Sequence, residues 1–230
     1  MNPHPTTSLP QIRGIAFDLD GLMFNTEDVF EKSGCELLRR RGKEMTNDVR
    51  VNMMGRRAHE AFTYLVRALE LKETVEELLS ESEHIFGEYL EIHLAPMPGL
   101  FELFSHIEHC RIPKGVATSS HRAYLENILS RYELQPRLHY TLTAEDVTRG
   151  KPDPEIYLKA AQKLGISPSE MMVLEDSEAG TNAAASAGAY VVSVPHEYSR
   201  HHDFSRAHYI AGSLHDPFVL SLLTPVNTRE

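Results

Sequence analysis

Positive charge is what this sequence has least of. Its 23 Lys and Arg stand against 33 Asp and Glu, a formal net charge of −10 over 230 residues. Recognition of a nucleic-acid backbone rests on clustered Lys and Arg, so the balance excludes a nucleic-acid binder. The same balance removes long-range steering of anions. An anionic substrate must therefore be held by cations placed locally. Cysteine is scarce as well: Cys35 and Cys110 form neither a CxxC pair nor a zinc-type spacing. They read as two reduced thiols of a cytosolic protein. No apolar run approaches the roughly 18 residues of a membrane span. The opening MNPHPTTSLPQ has neither the basic nor the apolar stretch of a secretion signal and reads as a short lead-in. Internal repeats and low-complexity tracts are missing too. The expectation is a cytoplasmic protein with no nucleic-acid and no membrane partner, long enough for one large domain or a core plus a small one.

What is present is an alternation of short apolar runs and helical stripes. IRGIAFD, from Ile12, reads as a buried strand with its carboxyl end at Asp18. Residues 26 to 95 carry no convincing strand. Thr26, Glu27 and Asp28 open a helix there. Ala58, Ala61, Phe62, Leu65, Val66 and Leu69 form one apolar stripe of period 3.6, and the segment from Val75 to Leu90 forms another. Pro96, Pro98 and Gly99 break the pattern. Beyond them strands are expected at 113–118, 138–142, 171–175, 190–194 and 208–210, with helices between. One of these helices has a core face of Tyr124, Leu125, Ile128 and Leu129. Such alternation implies right-handed crossovers and an α/β, doubly wound parallel sheet, a Rossmann-like core. The expected organisation is a catalytic core of 1–25 and 97–230 interrupted by an inserted all-helical cap of 26–96. The insert leaves at the carboxyl edge of the sheet, where such sheets bind ligands.

Polar groups follow four of the strands directly. Asp18 and Asp20 lie two residues apart, so on extended backbone their carboxylates point the same way. Two close acids repel unless a cation neutralises them, which suggests a metal. A solvated strand end with an Asx turn explains the pair equally well. Thr118, Ser119 and Ser120 offer hydroxyls and amides to an anion, or simply cap a helix. Lys151, in RGKPDP, sits at a turn stiffened by Pro152 and Pro154, either facing an anion or exposed to solvent. Glu175 and Asp176 end MMVL and suit a hard cation, or cap the following helix. Jointly these groups would converge above the sheet as a nucleophile, an acid/base, anion-holding groups and a Mg²⁺ site. That constellation fits phosphoryl transfer.

FDLDGLMFNTE, VATSS, GKPDPEIY and LEDSEAG, in that order, resemble the four motifs of the haloacid dehalogenase-like superfamily of phosphohydrolases. The helical segment resembles the cap these proteins carry between the first and second motifs. The branch it is most similar to is that of sugar-phosphate phosphatases and β-phosphoglucomutase-like enzymes. The resemblance implies that Asp18 is the nucleophile and that Asp20 protonates the leaving alcohol and then activates water. It implies that Thr118, with amides near Ser119, and Lys151 hold the phosphoryl group. Asp18, the backbone carbonyl of Asp20 and Asp176 would hold Mg²⁺, with Glu175 supporting it directly or through water, and Thr26 would orient the acid/base.

Three positions depart from the family's common patterns. Asn25 stands where many members have Asp. Phe30 and Ala58 stand where the mutases have His and Arg. Arg56 and Arg57 are the cap-side candidates for gripping the substrate. His201 and His202 read as surface. The expectation is a Mg²⁺-dependent hydrolase of a small phosphorylated metabolite, a monomer or weak dimer. The alternatives are a phosphomutase, a 2-haloacid dehalogenase and a Mg²⁺-binding protein without turnover. A dehalogenase has no alcohol to protonate, so Asp20 favours the phosphatase, and the intact set of four motifs argues against loss of catalysis.

Overall fold

The computed structural model describes residues 10–53 and 58–225. Arg56 and Arg57 lie outside the described residues. The chain forms two compact units, one of residues 1–24 and 96–230, the other of 25–95.

The first unit is built on a six-stranded parallel sheet. Its strands are β1 (Gly14–Phe17), β2 (Lys114–Ala117), β3 (Tyr140–Leu142), β4 (Met171–Glu175), β5 (Tyr190–Ser193) and β6 (Tyr209–Ile210), in the order β3-β2-β1-β4-β5-β6. Every residue of β1, β2 and β4 is buried. That is why these segments read as continuous apolar runs: helices cover both faces of the sheet, so no position alternates out to water. The chain adds β2 and β3 on one side of β1 and then crosses to add β4 on the other. β1 is thus the point where the winding reverses, and a crevice opens beyond its carboxyl end.

In this unit the chain forms helices α5 (Leu100–His109), α6 (Arg122–Arg131), α7 (Glu155–Leu164), α8 (Glu178–Ala187) and α9 (Pro217–Ser221). α7 and α8 pack through Ala160, Ala161, Ala183 and Ala184 onto Ala16, Val173 and Val191. Small side chains on that face let the helices approach the sheet closely. On α5, Phe104 packs against Phe17 of β1 with ring centroids 5.1 Å apart. The expected strand positions agree with those observed to within two residues at their ends, while α9 was not among the expected elements. Cys35 and Cys110 are both free thiols. Among the described residues no helix is long and apolar enough to cross a membrane.

The second unit contains α1 (Thr26–Arg39), α2 (Asn47–Met53), α3 (Ala58–Leu69) and α4 (Val75–His93). Its core is Leu37, Leu38, Val49, Leu65, Leu78 and Ile85. Both apolar stripes of the sequence supply this core, except that Ala58 is exposed at the head of α3. Thr74 caps α4 through a reciprocal bond pair with Glu77, satisfying two amide groups that the first turn leaves without partners. Asn25 shows why an amide stands there: it donates from Nδ2 to the His93 carbonyl (3.2 Å) and accepts at Oδ1 from the Ala95 amide (2.7 Å). A carboxylate could only accept.

Gly115 sits at a close approach within the sheet. It faces Tyr140 across β2 and β3, and the Tyr140 ring lies where a Cβ on residue 115 would stand. Gly115→Ala must displace that buried ring, so we expect a loss of roughly 1–3 kcal/mol in unfolding free energy. Urea denaturation of the variant checks this.

Candidate active site

The crevice beyond β1 collects side chains from four strand ends. Asp18 continues the pairing of β1, its amide donating to the Leu174 carbonyl (3.0 Å). The chain then turns tightly: Gly21 donates to Phe24 O, and Phe24 back to Leu19 O. Gly21 has φ +75°, and a Cβ there would lie 2.5 Å from Asp176 Oδ2 and 2.7 Å from His196 Nε2. Both the backbone and the space demand glycine. The turn thereby brings Asp20 and Asp176 over one point.

Lys151 is the hub. Its side chain is only 6% exposed, so the solvent-exposed reading of this loop lysine does not hold. Its Nζ donates to Asp18 Oδ1, to Glu175 Oε1 (2.6 Å) and to the Ala117 carbonyl (3.0 Å), which uses all three of its protons. Glu175 is fully buried. Its Oε1 also accepts from the Tyr157 hydroxyl (2.6 Å), while Oε2 accepts from Ser177 Oγ (2.9 Å) and from the amides of Asp176 and Ser177. Both oxygens expected to support a cation are thus occupied by protein donors. α8 passes so close that a Cβ at Gly180 would overlap this carboxylate, which accounts for the glycine in LEDSEAG. Ser177 in turn caps α8 by accepting from the Gly180 amide (3.1 Å).

Around this hub the other groups are placed in pairs. Thr118 is buried and its Oγ1 accepts from the Ser120 amide (3.0 Å). Asp20 accepts at Oδ2 from Ser120 Oγ (2.6 Å) and Thr118 Oγ1 (3.5 Å), and at Oδ1 from the Tyr124 hydroxyl (2.9 Å). Asp176 accepts at Oδ2 from His196 Nε2 (2.9 Å). His196 Nδ1 accepts the Tyr198 amide, which assigns the proton to Nε2. Thr118, Ser119, Thr148, Gly150 and Lys151 line a cavity of about 150 Å³. Thr26 and Phe30 belong to the other compact unit. There Thr26 is buried and Phe30 is exposed, its ring 4.4 Å from that of Phe86.

The electrostatics follow from burial. Burial pushes the Asp18 carboxyl well above its usual range; Lys151 opposes this, and the charges of Glu175, Asp176 and Asp20 add to it. Burial works against the Lys151 ammonium, but Asp18 and Glu175 outweigh it and hold the group strongly protonated. Burial would also raise Glu175, yet Lys151 and the hydroxyls of Tyr157 and Ser177 pull it below its ordinary value. Four carboxylates face one ammonium. That excess of negative charge, with Asp18 and Asp176 as hard oxygen donors, fits a divalent cation such as Mg²⁺. Among the described residues no three His, Cys, Asp or Glu side chains gather as a complete metal cage. Two carboxylates and a backbone carbonyl fall short of that number, and Mg²⁺ characteristically keeps several waters.

Three site residues were not singled out by the sequence. Tyr124 and Tyr157 fall on apolar helix stripes, and periodicity reports a face, not where a hydroxyl ends. His196 follows the YVVSV strand by two residues. That position, at another strand end of the same sheet, is the signal that could have found it.

Residues 15–194 match the model of the haloacid dehalogenase-like hydrolases. The chain is 31% identical over 181 residues to a phosphorylated carbohydrates phosphatase of Thermotoga maritima, covering 77% of this chain and 82% of that one. It is 36% identical over 180 residues to validoxylamine A 7′-phosphate phosphatase of Streptomyces hygroscopicus subsp. limoneus, covering 76% and 82%. Among solved structures it is similar to a Thermotoga maritima protein provisionally named a beta-phosphoglucomutase, with a TM-score of 0.81, 27% identity, and coverage of 92% and 98%.

The buried hub has a measurable cost when a donor is removed. Tyr157→Phe deletes one hydrogen bond to a buried carboxylate and should lower stability by roughly 1–3 kcal/mol. Glu175 ionises below its unfolded value, so its stabilisation is present above the unfolded pKa (about 4.3) and disappears as pH falls through the lower folded value. Losing the hydroxyl raises that folded value. The variant should therefore lose the contribution of Glu175 at a higher pH than the parent. Asp18, shifted the opposite way, is common to both proteins, so the difference between their acid-unfolding curves reads Glu175.

Proposed function

The chain belongs to the haloacid dehalogenase-like hydrolase family, and we propose that it is a Mg²⁺-dependent phosphatase of small phosphorylated metabolites, phosphorylated carbohydrates in particular. The observation that carries this reading is the Lys151 ammonium shared between Asp18 and Glu175 at the winding reversal of the sheet. The named activities of the two similar phosphatases support the substrate class.

In this reading an Asp18 oxygen attacks phosphorus, and the bond to the ester oxygen breaks. Asp20 gives its proton to the departing alcohol, leaving an aspartyl-phosphate on Asp18. Lys151 balances charge on Asp18 and the transferring group, while Thr118 and the amides near Ser119 hold the phosphoryl oxygens. Water then attacks the same phosphorus with Asp20 taking its proton, which releases inorganic phosphate and restores Asp18. Glu175 acts through Lys151, fixing the ammonium in place. Asp18, the Asp20 carbonyl and Asp176 would hold Mg²⁺, which when bound offsets repulsion between carboxylates and phosphate.

The experiment is a panel of phosphorylated metabolites assayed with Mg²⁺ and with excess EDTA. Turnover should vanish on chelation, and undiminished activity would refute the metal dependence. Asp18→Asn should form no phosphoenzyme. Asp20→Asn should retain the nucleophile and slow turnover by ~10²–10⁴-fold.

The likeness to a structure named for β-phosphoglucomutase favours a mutase as the second reading. A mutase must shield its phosphoenzyme from water until a sugar phosphate rebinds. Phe30 and Ala58, where mutases have His and Arg, can neither donate a hydrogen bond nor hold a phosphate, so the phosphoenzyme is expected to hydrolyse. With β-glucose 1-phosphate and catalytic glucose 1,6-bisphosphate, inorganic phosphate should be the main product of any turnover. Glucose 6-phosphate formed faster than phosphate would reverse the assignment.

A further inference from the structure

Asp20 is the one acid of the site held by hydroxyls instead of by an ammonium or an imidazole. Its Oδ2 accepts from Ser120 (2.6 Å) and, more distantly, from Thr118 (3.5 Å), and its Oδ1 from Tyr124 (2.9 Å). The donors arrive from the same stretch of chain: Thr118 and Ser120 lie between β2 and α6, and Tyr124 is in the first turn of α6. Leu125, next to it, is fully buried and anchors that turn to the core. Tyr124 itself is half-buried, bordering the crevice instead of filling the core as the helical stripe implied.

This geometry has a mechanical consequence. An aspartate on a turn has two soft side-chain torsions, and donors on one oxygen alone would leave the other free to swing about it. Donors on both oxygens fix the plane. Oδ1, with Tyr124 as its donor, still has a second lone pair, so a proton can be given or taken there without breaking that hydrogen bond. Proton transfer demands that a lone pair point at the leaving oxygen, within hydrogen-bond reach. We propose that Tyr124 is a positioning residue for proton transfer: its hydroxyl, donated to Asp20 Oδ1, sets the plane in which Asp20 meets the ester oxygen and the attacking water. This rests on the phosphatase reading with Asp20 as acid/base. The Tyr124 hydroxyl touches neither substrate nor phosphorus in this role. It acts through Asp20.

The leaving group separates this from a packing role. A phenolate is a poor leaving group and benefits from a well-aimed proton; dinitrophenolate is a stable anion and departs unaided. We expect Tyr124→Phe to slow phenol release from phenyl phosphate in the first turnover about tenfold, a part of the ~10²–10⁴ that general acid catalysis supplies. Dinitrophenol release from 2,4-dinitrophenyl phosphate should stay within about twofold of wild type, because the nucleophile and the phosphoryl site are untouched. In the Asp20→Asn background the same substitution should have no further effect on phenyl phosphate, since a residue acting through Asp20 has nothing left to aim. Equal slowing of both esters, no slowing of either, or an additive loss in the double variant would each overturn the proposal. The double variant also answers for any general loss of folding, which would slow it further. If wild type with Mg²⁺ cleaves neither ester, the phosphatase reading itself has failed and Tyr124 loses its role with it. If wild type cleaves both and the pattern is absent, only the role of Tyr124 is lost.

Discussion

The Lys151 ammonium between Asp18 and Glu175 is the interaction around which the core unit is organised. Taking a carboxylate out of water costs several kcal/mol even after relaxation, and here two are buried side by side. One ammonium with three protons can serve both, plus a strand-end carbonyl, only if all the acceptors stand at hydrogen-bond distance together. That requirement reaches far into the sequence. It fixes the glycine at 180, whose missing side chain leaves room for Glu175, and the tyrosine at 157, whose hydroxyl reaches the same carboxylate from α7. It requires Ser177 both to bond Glu175 and to cap α8. Motifs separated in sequence are thus halves of one electrostatic arrangement.

The sheet makes this arrangement possible. Its central strands are buried along their whole length, so polar side chains can appear only where those strands end. The reversal of winding at β1 leaves a gap between the connections above β2 and β4, and the polar ends of β1, β2 and β4 surround it. Folding therefore delivers Asp18, Thr118, Glu175 and Asp176 to one place without a dedicated loop for each. Lys151 is the exception. It comes from a connection between β3 and α7, and the prolines on its carboxyl side stiffen that connection.

This division explains what was legible in the sequence. Apolar runs followed at once by Asp, Thr or Glu gave away the strand ends, and the strand order of an α/β fold then implied their convergence. The burial of Lys151 was not legible, because a loop lysine is ordinarily solvated and only the three-dimensional meeting of Asp18 and Glu175 draws it in. Nor was the occupation of both Glu175 oxygens. Carboxylates at a strand end read as metal ligands until the hydroxyl of Tyr157, hidden in a helical stripe, is seen to point at one of them. Tyr124 and His196 share that reason: residue type and spacing give a side chain's face, while the partner of its polar tip is set by the fold.

Asp18 and Asp20 are separated by a single residue, yet their surroundings differ in kind. Asp18 is buried, bonded to an ammonium and crowded by other carboxylates. In the proposed reaction those are the surroundings of a group that stays put and waits for a phosphoryl centre, with its charge balanced from behind. Asp20 stands at the rim of the crevice, bonded among the described residues to neutral hydroxyls. Hydroxyls orient a carboxylate without holding it as strongly as an ammonium does, since hydrogen bonds in which both partners are charged are the stronger kind. An acid/base has to change protonation state twice in each cycle, and a permanent ion pair would resist one of those changes. Two chemically identical side chains thus acquire different capacities from what the fold places beside them. The turn at Gly21 keeps the two close together while leaving their partners separate.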